Sequence, residues 1–303
     1  MPARIYIGTS NWADPGLAAS GFYPEGLKST PERLAYFAQR FDLAEIDSTY
    51  YALPSRRNLT AWAAAVPDDF RFVMKALALF TQHPTNLSAI PASFREQLPP
   101  EIAAKPRVYY KDVPPEIRDE LWAIFRRGLA TLRETGKLGA VLLDFPPWFG
   151  PSPANRDYLG EAREKLAGED IVVEFRNRGW VDDEGTAAAT FGLLRELGMG
   201  FCCVDEPAEL KTGFPPVYAA TAEVAEVRFR GRNVEAWERK SASMEERLDW
   251  RYSREELLEW VPRIQELAQQ AREVYISFST KAGDQSVSNA RMLQELLGKA
   301  GAG

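Results

Sequence analysis

The stretch "DIVVEFRNRGW", residues 170–180, decides how the rest of the chain is read. Its run of β-branched residues makes it a strand. Side chains alternate across a strand, so Glu174 and Arg176 share one face while Val173 and Phe175 share the other. A strand buried in a parallel sheet is ordinarily apolar on both faces. A charged face inside such a sheet calls for an interior in which charges pair or meet water.

The same two-faced pattern recurs. Strand-like runs "RIYIG", "LAEID", "FRFVMKA", "AVLLDF", "GFCCVD", "EVRFR" and "EVYISFS" complete a set of eight. Helical patterns separate most of them. Ser29-Thr30-Pro31-Glu32 is a helix start, and Ser55 opens a second helix. Further helices are predicted over Pro115–Arg133, Asn155–Leu166, Glu184–Leu197, Arg254–Ala271 and Asn289–Leu297. Eight strand–helix repeats predict an α/β fold, a (β/α)8 TIM-type barrel over residues 1–303 as a single barrel domain. The sixth connection, Glu206–Ala225, is rich in Pro and Ala and is expected to lack a regular helix. An open doubly wound sheet is the alternative. The Pro84–Pro115 stretch is too long for a simple loop, and Gly231–Tyr252 follows the seventh strand. Both are read as lid-like, 84–115 as an insertion, bringing Tyr109, Tyr110 or Trp237 to the barrel mouth; fixed surface decoration is the other reading.

With 45% hydrophobic and 26% charged residues, the 303-residue chain has an ordinary globular composition. Its formal charge of -6 weighs against general nucleic-acid binding. No 18-residue apolar window offers a membrane span. The opening Met-Pro-Ala-Arg runs straight into a strand without a secretory pattern, so a cytoplasmic location is expected. Cys202 and Cys203 are adjacent in a strand, point oppositely and read as packing residues. His83 is the single histidine, which excludes a multi-histidine zinc site.

Inside a barrel, the polar faces converge. Glu45, Asp47, Asp144, Glu174 and Asp205 supply acids; Lys75, Arg176, Arg228 and Arg230 supply bases. Isolated buried charge costs several kcal/mol, so these groups must pair or reach a solvated pocket. Barrel enzymes keep their chemistry at the C-terminal ends of the strands. On that ground Glu174 is the leading acid or base, with Asp47 or Asp205 in support and Lys75 stabilising negative charge. Arg176, Arg228 and Arg230 would hold an anionic group. Rings that follow the strands, Trp12, Tyr50, Tyr51, Trp148 and Trp180, suit a sugar or a nucleobase. The turn "STKAGDQSVSNA" leads into the last helix and suits an anion.

Taken in order, "IYIGTSNW", "LAEIDSTYYALPS", "FRFVMKA", "FPPWF", "VVEFRNRGW", "VRFRGR" and "SVSNARMLQELL" resemble the YecE-like family, also called domain of unknown function 72. The resemblance implies a TIM-type barrel and assigns no activity. Lys75, Glu174, Arg176, Trp180 and Asn289 stand where the family has the same residues, and Asn289 thereby joins the binding candidates. Asp47 replaces a more frequent Asn, Asn177 and Arg230 replace frequent His residues, and Ser279-Thr280 stands where an Asn pair is common.

Three functions follow. The first is an enzyme with acid–base chemistry on a small anionic molecule, a sugar phosphate or nucleotide-like. The second is a ligand-binding or sensing barrel without catalysis. The third is an enzyme that processes nucleic-acid phosphates, which the acidic charge disfavours. No cofactor is required by the sequence; carboxylates could hold Mg²⁺, although the nearby bases oppose it.

Overall fold

A computed structural model describes residues 3–210 and 213–298. Eight parallel strands close into one barrel. They are β1 (Arg4–Thr9), β2 (Leu43–Ile46), β3 (Arg71–Lys75), β4 (Leu138–Phe145), β5 (Ile171–Phe175), β6 (Gly200–Asp205), β7 (Val224–Phe229) and β8 (Glu273–Phe278). Each pairs with its neighbours in sequence, and β1 closes the ring on β8 from Arg4 opposite Glu273 to Thr9 opposite Phe278. The closed (β/α)8 barrel read from the alternation is therefore the observed fold, and an open sheet is not.

Alternation along the strands builds two separate apolar layers. Outward residues, among them Ile7, Ile46, Phe72, Leu143, Phe175, Val227 and Ile276, pack against the helices. Inward residues at the N-terminal end, Tyr6, Leu43, Val73, Ala140, Leu142, Val172, Val224 and Tyr275, form a small core of their own. Gly8 lets β1 lie close to β2, since a Cβ there would fall 1.7 Å from the Leu43 carbonyl oxygen.

Helix starts follow the capping chemistry. Ser29 and Glu32 form a capping box on Thr30–Phe37, and the Ser55 hydroxyl caps Arg56–Ala65. Pro115–Arg133 and Glu184–Leu197 match their predicted spans. The predicted Arg254–Ala271 helix is two, Arg254–Leu258 and Val261–Gln270. Pro262 has no N–H for the Leu258 carbonyl and starts a new helix instead. The last helix, Gln285–Leu296, begins four positions before its predicted Asn289 start. The connection from β6 to β7 has no helix among its described residues.

The 84–115 excursion forms a two-stranded antiparallel sheet, Thr85–Asn86 with Arg107–Val108, and two four-residue helices. It packs outward. Tyr110, predicted at the mouth, is buried in the helical layer, where its hydroxyl donates to Glu161 Oε1 (2.8 Å) and accepts from Trp122 Nε1 (3.1 Å). Among the described residues no helix is long and apolar enough to cross a membrane.

Candidate active site at the barrel mouth

Above the inner apolar core, the barrel interior turns ionic. Arg228 is 2% exposed and forms the centre of a buried network. Its Nε and Nη2 donate to the two oxygens of Glu45 at 3.0 and 2.7 Å, and its Nη1 donates to Glu174 Oε2. The Ser277 hydroxyl completes the Glu45 side. On the other wall Lys75 Nζ lies 2.8 Å from Asp144 Oδ2 and 3.9 Å from Asp47 Oδ1. Arg176 grips Asp144 with two hydrogen bonds, 2.9 and 3.1 Å, and lies 3.6 Å from Glu174 Oε1. Arg230 Nη1 lies 3.3 Å from Glu174 Oε1 and 3.6 Å from Glu206 Oε2. Glu45, Asp47, Lys75, Glu174, Arg176 and Arg228 thus meet in one interior, as strand parity requires.

Pairing sets the protonation states. Burial would drive protons onto Asp144 and off Lys75, but the facing charges win. Arg176 and Lys75 hold Asp144 well below the usual carboxylate range, and Asp144 and Asp47 hold Lys75 above the usual amine value. Asp47, which has fewer partners, is raised by burial against the pull of Lys75. Glu226 was overlooked in the sequence, although it shares the parity of Arg228. It is fully buried, and burial with Glu45 nearby raises its carboxyl far above normal.

Directly above the network opens a cavity of about 430 Å³. Arg176, Arg178, Arg230 and Arg247 line it, with Glu206, Asn177, Pro147, Trp237 and Met244. Arg230 is 5% exposed, and among the described residues neither its Nε nor that of Arg247 has a hydrogen-bond partner. Glu206 is the acid of this wall. Its Oε1 accepts from the Phe214 N–H at 2.8 Å, and burial pushes its carboxyl up to about 7. The 231–252 segment supplies the outer wall. Gly231 begins it with φ 87°, where an added Cβ would lie 2.5 Å from that of Trp250. The Asn233 amide donates to the Glu246 and Asp249 carbonyls, both at 3.2 Å, and Trp237 Nε1 donates to the Arg247 carbonyl at 3.1 Å. Trp237 thus stands at the mouth, in the lining of the cavity.

Four predicted site residues lie elsewhere. Asp205 points outward from β6, in register with the outward Phe229, and accepts from Tyr252 Oη, Trp260 Nε1 and Arg232 (each 2.6 Å at the shortest). Trp12 is 3% exposed and packs edge-on against Trp62 at 5.2 Å. Trp180 is fully buried, stacks on Phe175 at 4.3 Å and donates to the Phe149 carbonyl at 2.6 Å. Asn289 is also fully buried; its Oδ1 accepts from the Tyr252 N–H at 3.1 Å and its amide donates to Thr280 Oγ1 at 3.2 Å. All four pack the shell around the mouth and do not line the cavity. Tyr50 stays at the mouth, with Lys75 Nζ 4.7 Å from its ring centroid. Among the described residues no group of three or more His, Cys, Asp or Glu converges as a metal cage.

A family model described as "Protein of unknown function DUF72" matches residues 6–303. The chain belongs to the DUF72 family. Among curated proteins it is similar to "UPF0759 protein YunF" of Bacillus subtilis (strain 168), with 28% identity over 297 residues covering 97% of this chain and 94% of that one. Among solved structures it is similar to a DUF72 family protein of Thermotoga maritima MSB8, at 29% identity and TM-score 0.75, covering 97% and 99% of the two chains. A DUF72 family protein of Enterococcus faecalis V583, at 24% identity and TM-score 0.78 over 97% and 95% of the chains, has the same fold. The resemblance carried by the ordered motifs is thus family membership.

Proposed function

We propose that this DUF72 protein is an enzyme that carries out acid–base chemistry on a small anionic molecule, a phosphate ester of the sugar-phosphate or nucleotide-like class, at the mouth of its barrel. One observation carries the reading. Glu206, whose proton is held near neutral pH, shares a cavity with four guanidiniums, two of which have an Nε without a hydrogen-bond partner among the described residues. Guanidiniums offer forked donors that fit a phosphate, and a carboxyl that titrates near the working pH suits proton transfer.

In this reading Arg178, Arg230 and Arg247 hold the anion, and Glu206 gives or takes the proton. Glu174, which sequence favours for that step, has a fully buried side chain bound to Arg228 and serves to fix Arg228 and Arg230. Lys75 and Asp47 lie deeper, where Lys75 adds positive field beneath the ligand. Asp205 has no part in the chemistry. The site requires no nucleic acid and no membrane, and a cytoplasmic setting agrees with a free metabolite as substrate.

Calorimetric titration with inorganic phosphate, sulfate and ribose 5-phosphate tests the anion site, followed by turnover of sugar phosphates and nucleotides. Millimolar or tighter binding that falls at least tenfold in Arg230→Ala supports it. Glu206→Gln should retain binding and abolish turnover. Binding without turnover in the wild type would favour a ligand-sensing barrel, and no anion binding at millimolar concentration would overturn the reading.

A further inference from the structure

Three rings stand together at the mouth beside the arginine cavity. Tyr50 and His83 lie at 5.3 Å between centroids and 77°, and His83 and Trp148 at 5.8 Å and 71°. Trp148 is 58% exposed, although it follows Pro147, which lines the cavity. A chain of short contacts joins the two places. Tyr50 lies under Lys75 Nζ at 4.7 Å, Lys75 binds Asp144 at 2.8 Å, and Arg176, which lines the cavity, binds Asp144 at 2.9 Å.

His83 is held through Nδ1, which lies 3.0 Å from the Thr81 hydroxyl. Burial lowers the imidazole to about 4, so it is neutral at physiological pH. Among the described residues the ring makes its one hydrogen bond through Nδ1, and Nε2 is left for a ligand. Gln82, the residue before it, sits in the left-handed region at φ 64°, the one non-glycine residue that does so among the described residues. The ring is thus presented by an uncommon turn.

We propose that Tyr50, His83 and Trp148 form a second subsite, which takes the planar nitrogenous ring of the same ligand whose phosphate lies among the arginines. This rests on the anion reading and narrows its ligand to a nucleotide-like phosphate ester. The free face of Trp148 stacks the ring, and His83 Nε2 hydrogen-bonds to the ring's polar edge. A ligand lacking the ring would leave Trp148 in water.

Intrinsic fluorescence and calorimetry with adenosine 5′-monophosphate, ribose 5-phosphate and adenosine separate the two parts. The nucleotide should bind roughly tenfold more tightly than ribose 5-phosphate, the scale of one base on one aromatic face, and quench the emission. Trp148→Ala, at an exposed position that should not disturb folding, should erase that advantage and leave ribose 5-phosphate affinity unchanged. His83→Phe keeps a ring but removes the hydrogen-bonding nitrogen, and should lose part of the advantage. Equal affinity for the nucleotide and ribose 5-phosphate in the wild type, or an advantage that survives Trp148→Ala, overturns the subsite and leaves the anion site intact. If neither phosphate ester binds but adenosine binds through Trp148, the anion reading fails and the ring subsite stands. Failure of all three ligands to bind removes both.

Discussion

The two halves of the barrel interior solve the same burial problem by different chemistry. At the N-terminal end, Tyr6, Val73, Leu142, Val172 and Tyr275 fill the space with apolar groups and rings, the two tyrosines stacking at 5.5 Å. At the C-terminal end Glu45, Asp144, Glu174, Lys75, Arg176 and Arg228 fill it with paired charge. Packed hydrophobic groups would hold a barrel together as well or better, because a buried ion pair seldom beats well-packed apolar groups of the same volume. The ionic half is therefore the part that needs another explanation, and it lies directly beneath the cavity. Through Asp144 and Glu174 it contacts Arg176 and Arg230, two of the arginines that line the cavity.

Matched substitutions in the two halves should separate them most sharply. Arg228→Met leaves Glu45 buried without its cation and takes one of three from Glu174, and should cost about 3–5 kcal/mol. Leu142→Ala in the apolar half should cost about 2–5 kcal/mol through the cavity it leaves. Their pH dependence should differ. Acid relieves unpaired carboxylates by protonating them, so the Arg228→Met loss should be smaller at pH 5 than at pH 8, while the Leu142→Ala loss should be the same at both. Urea unfolding at the two pH values measures this. A loss at Arg228 that does not change with pH would mean that the network is not stressed by removal of its centre.

How far the sequence revealed this division depends on parity. Counting alternate residues outward from Glu174 placed Glu45, Lys75, Arg176 and Arg228 correctly, because strand geometry allows no other side for them. The same count, carried along β7, reaches Glu226, and along β6 it turns Asp205 outward; taking the last acid of a strand as inward failed for Asp205. Glu206 lies beyond the end of β6, where alternation no longer applies, and its place is set by the Phe214 N–H from a helix-free connection. Trp12 and Trp180 follow strands as predicted, but a following loop does not say which way a ring turns. Both turn into the helical layer, where an indole buries more surface than at the mouth. The outer wall with Trp237, Met244 and Arg247 comes from irregular backbone held by Asn233, and only the length of that segment pointed to it.

Glu206 offers the next largest effect. In the unfolded chain its carboxyl ionises near the ordinary glutamate value of 4.5, and in the folded protein near 7. Between those values the native state binds the extra proton, so this residue's contribution to stability falls as pH rises from 4.5 to 7 and is level above that. The full difference is on the order of 3 kcal/mol. Glu206→Gln should remove this slope, and unfolding midpoints at pH 5, 6 and 8 should show wild type losing stability relative to the variant. Identical slopes would place the Glu206 proton outside the native linkage and weaken its assignment to proton transfer.

The smallest effect on the site should come from the carboxylate that most resembles Glu174. Asp205 is also buried, at the end of the next strand, and it accepts three kinds of donor. Its hydrogen bonds join Tyr252, Trp260 and Arg232 in the helix layer, and the Tyr252 hydroxyl in turn accepts from the Gly231 N–H at 2.9 Å. Asp205→Asn keeps the shape but weakens charge-assisted bonds, and should cost about 1–3 kcal/mol of stability. The outer cavity wall has its own supports in Asn233 and the Trp237–Arg247 contact, neither of which touches Asp205. Ribose 5-phosphate affinity in Asp205→Asn should therefore stay within about twofold of wild type, well short of the tenfold step expected for losing a direct contact. If affinity falls tenfold while the protein stays folded, the helix layer steers the mouth through Gly231. The contrast that matters would then run between the ionic interior and a movable outer wall, and Asp205 would return to the site as a positioning residue.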